Sequence, residues 1–344
     1  MTEDRFSQYR QDKAKKEKPF LCRENVLIMV VCLIAILVWI YALPRLLVAT
    51  GVNNVELQTE TKGSYILNES PLVLVQIDVG QGNCVFIKFP NGKTLLYDGG
   101  EGDRPDNKYG RAADAGRKIV VPFLKWLGVR KIDYILLSHP DSDHCGGMDY
   151  VLKSYQKNIG LYSDGGTKVA SFTYKRVLED VDKYNIDYKI LKDGDELDWG
   201  GPLVKLKIIA ADIGAVDTND NSVVLYGKFG NFSFMLTGDA TIESEYRMIK
   251  RYGPQLKTTV LQVGHHGSKT ATSTEWLNTI KPEYATIGVG SYNTYGHPTK
   301  IVLDKLKRSK SDILRTDKDG TILFTTNGKE WKYHLLDEWR LENM

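Results

Sequence analysis

Four residues able to bind metal stand within a six-residue stretch of the loop 138–148 ("SHPDSDHCGGM"): His139, Asp141, Asp143 and His144. Imidazole nitrogens and carboxylate oxygens together suit zinc, manganese or iron rather than calcium, and no set of thiolates competes for the role. In an extended segment alternate side chains share a face, so His139, Asp141 and Asp143 fall together, with His144 following at the entrance to a helix. Two carboxylates this close repel each other unless cations neutralise them, and the spacing therefore predicts a pair of divalent ions. A polar turn capping a helix through Asp143 is the alternative. Further along, "FMLTGDA" offers Asp239, "LQVGHHGS" offers His265 and His266, and "YNTYGHPT" offers His297. Five of the six histidines thus sit beside glycine where apolar runs end, and only His334 stands apart. That joint placement predicts one convergent site.

Rigid elements must deliver these loops. "PLVLVQIDVG" (71–80) is an apolar run of strand length, and "CVFIKFPNGKTLLYDGG" (84–100) reads as two strands around a Pro-Asn-Gly turn, a hairpin. "GRKIVVPFLKWLGVRK" is mixed or helical, "IDYILLSH" (132–139) is a buried strand ending at the loop, and "GGMDYVLKSY" has helical spacing with Met148, Val151 and Leu152 on one face. Further strands are expected at 203–210, 222–228, 231–237, 258–264 and 283–290, with a helix near 273–280. "DKDG" (317–320) lacks the distal glutamate of a calcium loop and reads as a hairpin turn. Alternating strands and helices predict an α/β fold with sheet inside and helices outside.

In chain order, "DVGQG", "DGG", "HPDSDHCGG", "NSVVL", "LTGD", "GHHGS", "YGHP" and "RTDKDGTI" resemble the metallo-β-lactamase superfamily, and within it the hydrolase domain of the ComEC competence proteins, over roughly residues 71–328. The resemblance implies a four-layered αββα sandwich and a centre of two divalent ions, zinc or manganese. It also implies that His139 and Asp141 bind one ion, Asp143 and His144 bind the other, and Asp239 bridges. His265 or His266 adds a ligand or touches substrate, and His297 is a ligand or a general acid. Asp143, His266 and His297 are the candidates for proton transfer and oxyanion stabilisation, while Asp78 and Gln81 orient the loops from behind. The sequence departs from the pattern in three places. Asp141 replaces the second histidine of the commoner His-x-His-x-Asp-His, as in ComEC-like members. No histidine lies between His144 and His265, so one ion is expected to be weakly held, and Asn83 stands where the relatives usually show aspartate.

The expected chemistry is phosphodiester hydrolysis, with a nucleic acid as one possible substrate. An amide or ester hydrolase of the β-lactamase kind, or an anchored binding module without catalysis, are the competing readings. Net charge is +3, but residues beyond 45 carry 38 basic and 38 acidic side chains, so bulk charge offers no argument for a polyanion partner. From Val26 to Leu43, 18 uncharged residues approach the length of a membrane span. Seven Lys/Arg precede them, which predicts a cytoplasmic basic head (1–25), a single transmembrane helix (26–43), a linker (44–70) that could supply a first strand, and an extracytoplasmic hydrolase domain (71–344) at the cell membrane. A separate DNA-uptake channel protein is a conceivable partner. Cys84 and Cys145 are expected to be buried thiols rather than a bridge.

Overall fold

The computed structural model describes residues 62–102, 114–167, 171–211 and 217–336. The expected head and transmembrane helix lie outside these residues. Among the described residues, no helix is long and apolar enough to cross a membrane.

The described chain begins with helix α1 (Lys62–Glu69), at the end of the stretch 44–70 expected as a linker that could supply a first strand; residues 44–61 lie outside the described residues. Its sequence, KGSYILNE, has little intrinsic drive to be helical, and tertiary contacts hold it. Leu67 enters the core, and the Lys88 ammonium donates to the carbonyls of Leu67 and Ser70 at 2.6 and 2.8 Å, closing the helix C-terminus with a positive charge. Strands β1 (Leu72–Gln76), β2 (Val85–Lys88) and β3 (Thr94–Tyr97) follow as an antiparallel meander, and the expected hairpin is β2–β3. A π-helical turn (Gly116–Val120) runs into α2 (Val121–Trp126). Then come β4 (Ile132–Leu136), the short α3 (Ser142–Cys145), α4 (Met148–Tyr155), β5 (Ile159–Asp164), α5 (Phe172–Lys183) and β6 (Tyr188–Ile190). The second half comprises β7 (Glu196–Leu197), β8 (Val204–Ala210), β9 (Val224–Phe229), β10 (Phe232–Leu236), α6 (Ile242–Tyr252), β11 (Val260–Gln262), α7 (Thr274–Ile280), β12 (Tyr284–Ile287), α8 (Lys300–Arg308) and β13 (Asp312–Arg315). A helical turn, Thr316–Asp319, precedes β14 (Thr321–Thr326) and β15 (Trp331–Leu336).

Two sheets form, in the orders β15-β14-β1-β2-β3-β4-β5-β6 and β13-β12-β11-β10-β9-β8-β7. "DKDG" is therefore not a hairpin turn: β13 pairs with β12 in one sheet, and β14 pairs with β1 and β15 in the other. An Asp-Gly pair marks a reversal but does not say which sheet receives the next strand.

The alternation of side chains along each strand sorts the interior into three cores. Val73, Val75, Phe86, Leu96 and Ile135 pack under helices α2, α4 and α5. Their strand neighbours Leu72, Leu74, Val85, Ile87 and Leu95 face Leu206, Ile208, Leu225, Phe232 and Phe234 of the other sheet. Behind that sheet Met235, Leu261, Ala285 and Ile287 meet α6, α7 and α8. Helix, sheet, sheet, helix is the resulting order of layers, as expected from the sequence. Tyr97, fully buried on β3, ties the sheets together by donating its hydroxyl to Val223 O at 2.8 Å. Cys84 and Cys145 are both free and buried.

Candidate metal centre

The loop after β4 does not stay extended. After Asp141 the chain turns into α3, so Asp143 and His144 arrive on a helical turn while His139 comes from the strand end. Neighbouring loops hold this turn by close backbone approach. Asn83 N–H donates to Asp143 O at 3.1 Å and Gly99 N–H to His144 O at 2.7 Å. A side chain at Gly82, whose φ is +125°, would place its Cβ 2.2 Å from Asp143 O, which explains one glycine of "DVGQG". Gly146 and Gly102 abut in the same way, which explains glycines in "CGG" and in the loop after "DGG".

Three histidines turn the Nε2 edge of their rings toward a common point, and their hydrogen bonds fix which nitrogen is free. His266 Nδ1 lies 2.6 Å from Gly288 O, an acceptor only, so Nδ1 carries the proton and Nε2 presents a lone pair. His144 Nδ1 lies 2.7 Å from the Asp98 carboxylate, with the same consequence. Ser138 Oγ donates to Asp98 Oδ2 at 2.9 Å and so accepts from His139 Nδ1 at 3.0 Å, freeing His139 Nε2. The three Nε2 atoms meet two carboxylates. His144 Nε2 is 3.0 Å from Asp239 Oδ1, His139 Nε2 is 3.9 Å from Asp239 Oδ2, and His266 Nε2 is 3.3 Å from Asp143 Oδ2 and 3.6 Å from Asp239 Oδ2. His144 and His266 face each other, Nε2 to Nε2, at 3.3 Å.

The ligand-type atoms form two tight groups: His139, His144 and Asp239, and Asp143, His144 and His266. This grouping differs from the sequence-based allotment, because His144 belongs to both groups and Asp141 to neither. The Asp141 side chain is 42% exposed, on the rim, with Oδ2 3.6 Å from His139 Nε2. His139 Nε2 is buried with no hydrogen-bond partner, and the buried Asp239 Oδ1 has only the His144 ring nitrogen beside it. Converging lone pairs and carboxylates, including such an orphaned atom, fit divalent cations and fit little else.

The local electrostatics agree. Burial alone would raise the Asp239 carboxyl, but His144, His266 and His139 hold it well below the usual carboxylate range. Burial likewise acts to raise Asp143, and His266 and His144 more than offset it, so its pKa is lowered. Burial acts to lower His144, yet Asp239 and Asp98 hold it well above an ordinary histidine. His266 is raised as well, with Asp239 and Asp143 outweighing burial. Carboxylates that draw protons onto imidazoles in this way would bind cations in their place.

His265 and His297 stand outside the tight groups. His265 Nε2 is 3.7 Å from Asp239 Oδ2, while Nδ1 pairs with Thr270 Oγ1 at 3.1 Å. Both His265 and His266 adopt left-handed backbone angles, φ 49° and 52°, a conformation uncommon outside glycine that aims consecutive rings at one point. His297 is half-buried, its ring 5.7 Å from that of His265. Burial lowers the pKa of both rings, and their mutual neighbourhood lowers that of His297 further.

Behind the cluster, Asp78 Oδ1 accepts Gly80 N–H at 3.0 Å, and Gln81 Oε1 accepts Gly290 N–H at 3.3 Å, so both shape loops and neither reaches the ligand groups. Sequence reasoning missed Asp98 and Ser138. Asp98 is fully buried and accepts Ser138 N–H, Ser138 Oγ–H, Asn83 Nδ2–H and His144 Nδ1–H. Its signal was present as the aspartate of "DGG" at the end of β3. Asn83 supplies a neutral amide, bonded to Asp98 at 2.9 Å and to Gln76 Nε2 at 3.0 Å, where an aspartate would set two carboxylates face to face.

Residues 77–290 match the family model of the metallo-beta-lactamase superfamily. The chain belongs to that superfamily. ComE operon protein 3 of Bacillus subtilis is 32% identical over 254 residues, which cover 72% of this chain and 32% of that protein. Competence protein ComA of Neisseria gonorrhoeae is 32% identical over 253 residues, covering 72% of this chain and 31% of that protein. Recombination protein 2 of Haemophilus influenzae is 30% identical over 247 residues, covering 72% of this chain and 28% of that protein. The match thus spans about a third of each relative. Superfamily membership and this donor set agree on a site for divalent metal.

Proposed function

We propose that the centre is a two-metal phosphodiesterase. The observation that carries this reading is the convergence of His139, His144 and Asp239, and of Asp143, His144 and His266, on one space, with three Nε2 lone pairs, the buried Asp239 carboxylate and the half-buried Asp143 carboxylate. Two divalent ions bound there would acidify water and neutralise charge on a phosphoryl oxygen. The chain's own residues divide the remaining work. Asp98 and Ser138 fix the rings of His144 and His139, while Gly288 O fixes His266. Asp143 is the better proton acceptor of the two cluster carboxylates, because its side chain is 22% exposed against 4% for Asp239, so water can reach it. His266, its Nδ1–H held by Gly288 O, would serve as a ligand through Nε2. His297, with its pKa lowered, is neutral at pH 7 and serves better to hydrogen-bond the substrate than as a standing acid.

Two of the relatives carry names that refer to competence and to recombination, which favours DNA as the physiological phosphodiester. A membrane anchor at 26–43 would place the domain outside the cytoplasm, where a separate uptake channel could hand it a strand. The test is hydrolysis of bis-nitrophenyl phosphate and of a chromogenic cephalosporin, each with Mn²⁺ or Zn²⁺. Phosphodiester turnover lost on Asp239→Ala is expected. Cleavage of the cephalosporin alone would overturn the reading in favour of amide hydrolysis.

A further inference from the structure

The segment 290–298 borders the cluster and is held firmly for an exposed loop. Asn293 Nδ2 donates to Gly290 O at 2.9 Å and to His297 O at 2.8 Å, and Asn293 Oδ1 accepts His297 N–H at 3.0 Å. Ser291 Oγ donates to Asp317 O at 3.2 Å. Where the loop ends, the Thr299 N–H and hydroxyl both reach Gly267 O, at 2.9 and 3.0 Å. This pinned loop displays two aromatic rings to solvent, Tyr292 at 87% exposure and Tyr295 at 59%.

A lone exposed ring needs no explanation. Tyr295, however, is the outer member of a row. Its ring lies 6.0 Å from that of His297 with the planes 24° apart, and the His297 ring lies 5.7 Å from that of His265. His265 Nε2 in turn is 3.7 Å from Asp239. Tyr295 and His297 thus present near-parallel faces, and His297 meets His265 edge-on, its plane turned by 76°, so a line of rings leads from solvent to the ligand cluster. Lys269 is exposed and precedes Thr270, whose hydroxyl pairs with His265 Nδ1.

A polymer whose repeat joins a phosphate to a flat aromatic base matches both features at once. In a duplex the base faces are occupied by their neighbours, whereas a single strand can lay them on protein rings. We propose that Tyr295, continued inward by His297, is a stacking platform that seats the base adjoining the scissile phosphate of single-stranded nucleic acid. Tyr295 is then a specificity-determining residue. The inference rests on the phosphodiesterase reading for its account of the cluster.

The test measures binding of the full chain to short labelled DNA by fluorescence anisotropy, in EDTA so that nothing is cleaved. The probes are a single strand, the same strand with abasic sites, and the duplex. The wild-type chain should bind the normal strand more tightly than the other two. Tyr295→Ala should weaken binding of the normal strand by roughly 5- to 150-fold, the range for losing one base–aromatic stack, with much less effect on the abasic strand. Tyr295→Phe should restore the preference. Equal losses on both strands, or no loss, would overturn the platform. Wild-type turnover of bis-nitrophenyl phosphate, read alongside, separates the two failures. Turnover without base discrimination removes the platform and leaves the phosphodiesterase reading, whereas discrimination without turnover does the reverse.

Discussion

Asp98→Asn changes one oxygen to a nitrogen in a fully buried side chain and tests how the centre is built. The wild-type carboxylate accepts four hydrogen bonds, with His144 Nδ1 at 2.7 Å, Asn83 Nδ2 at 2.9 Å, Ser138 Oγ at 2.9 Å and Ser138 N at 2.8 Å. An amide offers one acceptor atom and one NH₂. If its nitrogen takes the Oδ2 position it meets three donors, and if it takes the Oδ1 position it meets the Ser138 N–H. Either way a donor faces a donor. Release of Ser138 Oγ also frees His139 to turn, and loss of the negative charge removes what holds the proton on His144 Nδ1. A charge-assisted hydrogen bond contributes about 1.5–3 kcal/mol. Loss of a partner behind a metal ligand typically costs roughly 10- to 100-fold in affinity, which is about 1.4–2.7 kcal/mol. Competition against a chelating dye should therefore show Mn²⁺ and Zn²⁺ affinity reduced by roughly 10- to 100-fold. Circular dichroism of the same sample controls for folding. A folded Asp98→Asn protein with wild-type metal affinity would refute the argument that Asp98 sets the His144 tautomer.

Asn83→Asp should destabilise the fold by roughly 2–4 kcal/mol at pH 8, because two buried carboxylates then face each other. At pH 5 the loss should be smaller, since the added group can keep its proton and donate it to Asp98. Urea unfolding at both pH values checks this. Burial pushes Glu245 up to about 7 from 4.5, although Thr272 and Ser273 donate their N–H groups to it. The folded chain thus retains a proton that the unfolded chain has released. Its contribution is fully present below about pH 4.5 and is lost as pH rises through about 7, by about 3 kcal/mol in all. Glu245→Gln should remove that slope from urea midpoints measured between pH 5 and 8, and an unchanged slope would contradict it. Gly82→Ala should displace the Asp143 backbone, lowering the melting temperature through about 1–3 kcal/mol of strain and weakening the Mn²⁺-induced shift in that temperature.

Much of this molecule is legible in its sequence, and the failures have physical causes. Strands such as 132–136 and the hairpin 85–97 announce themselves because apolar runs and a Pro-Asn-Gly turn act locally. Convergence of His139, Asp143, His144, Asp239 and His266 could be expected because each lies in a glycine-containing loop that follows an apolar run. Helix α1 could not be read, since Leu67 and Lys88, rather than helix propensity, hold it. Nor could the joint membership of His144 be foreseen, because α3 rotates Asp143 and His144 away from the alternation of an extended loop. Asp98 was overlooked for a related reason. An aspartate before two glycines reads as an ordinary turn until the fold places Ser138 and His144 against it.

The central claim is that this cluster of imidazoles and carboxylates holds two divalent ions. Metal analysis of the full chain after loading with Mn²⁺ or Zn²⁺ and gel filtration, for wild type, His139→Ala and His144→Ala, tests it most directly. The account predicts two equivalents in the wild type and fewer than two in both His139→Ala and His144→Ala. A wild type that retains no metal above pH 6, or a His144→Ala protein that still binds two equivalents, would contradict it.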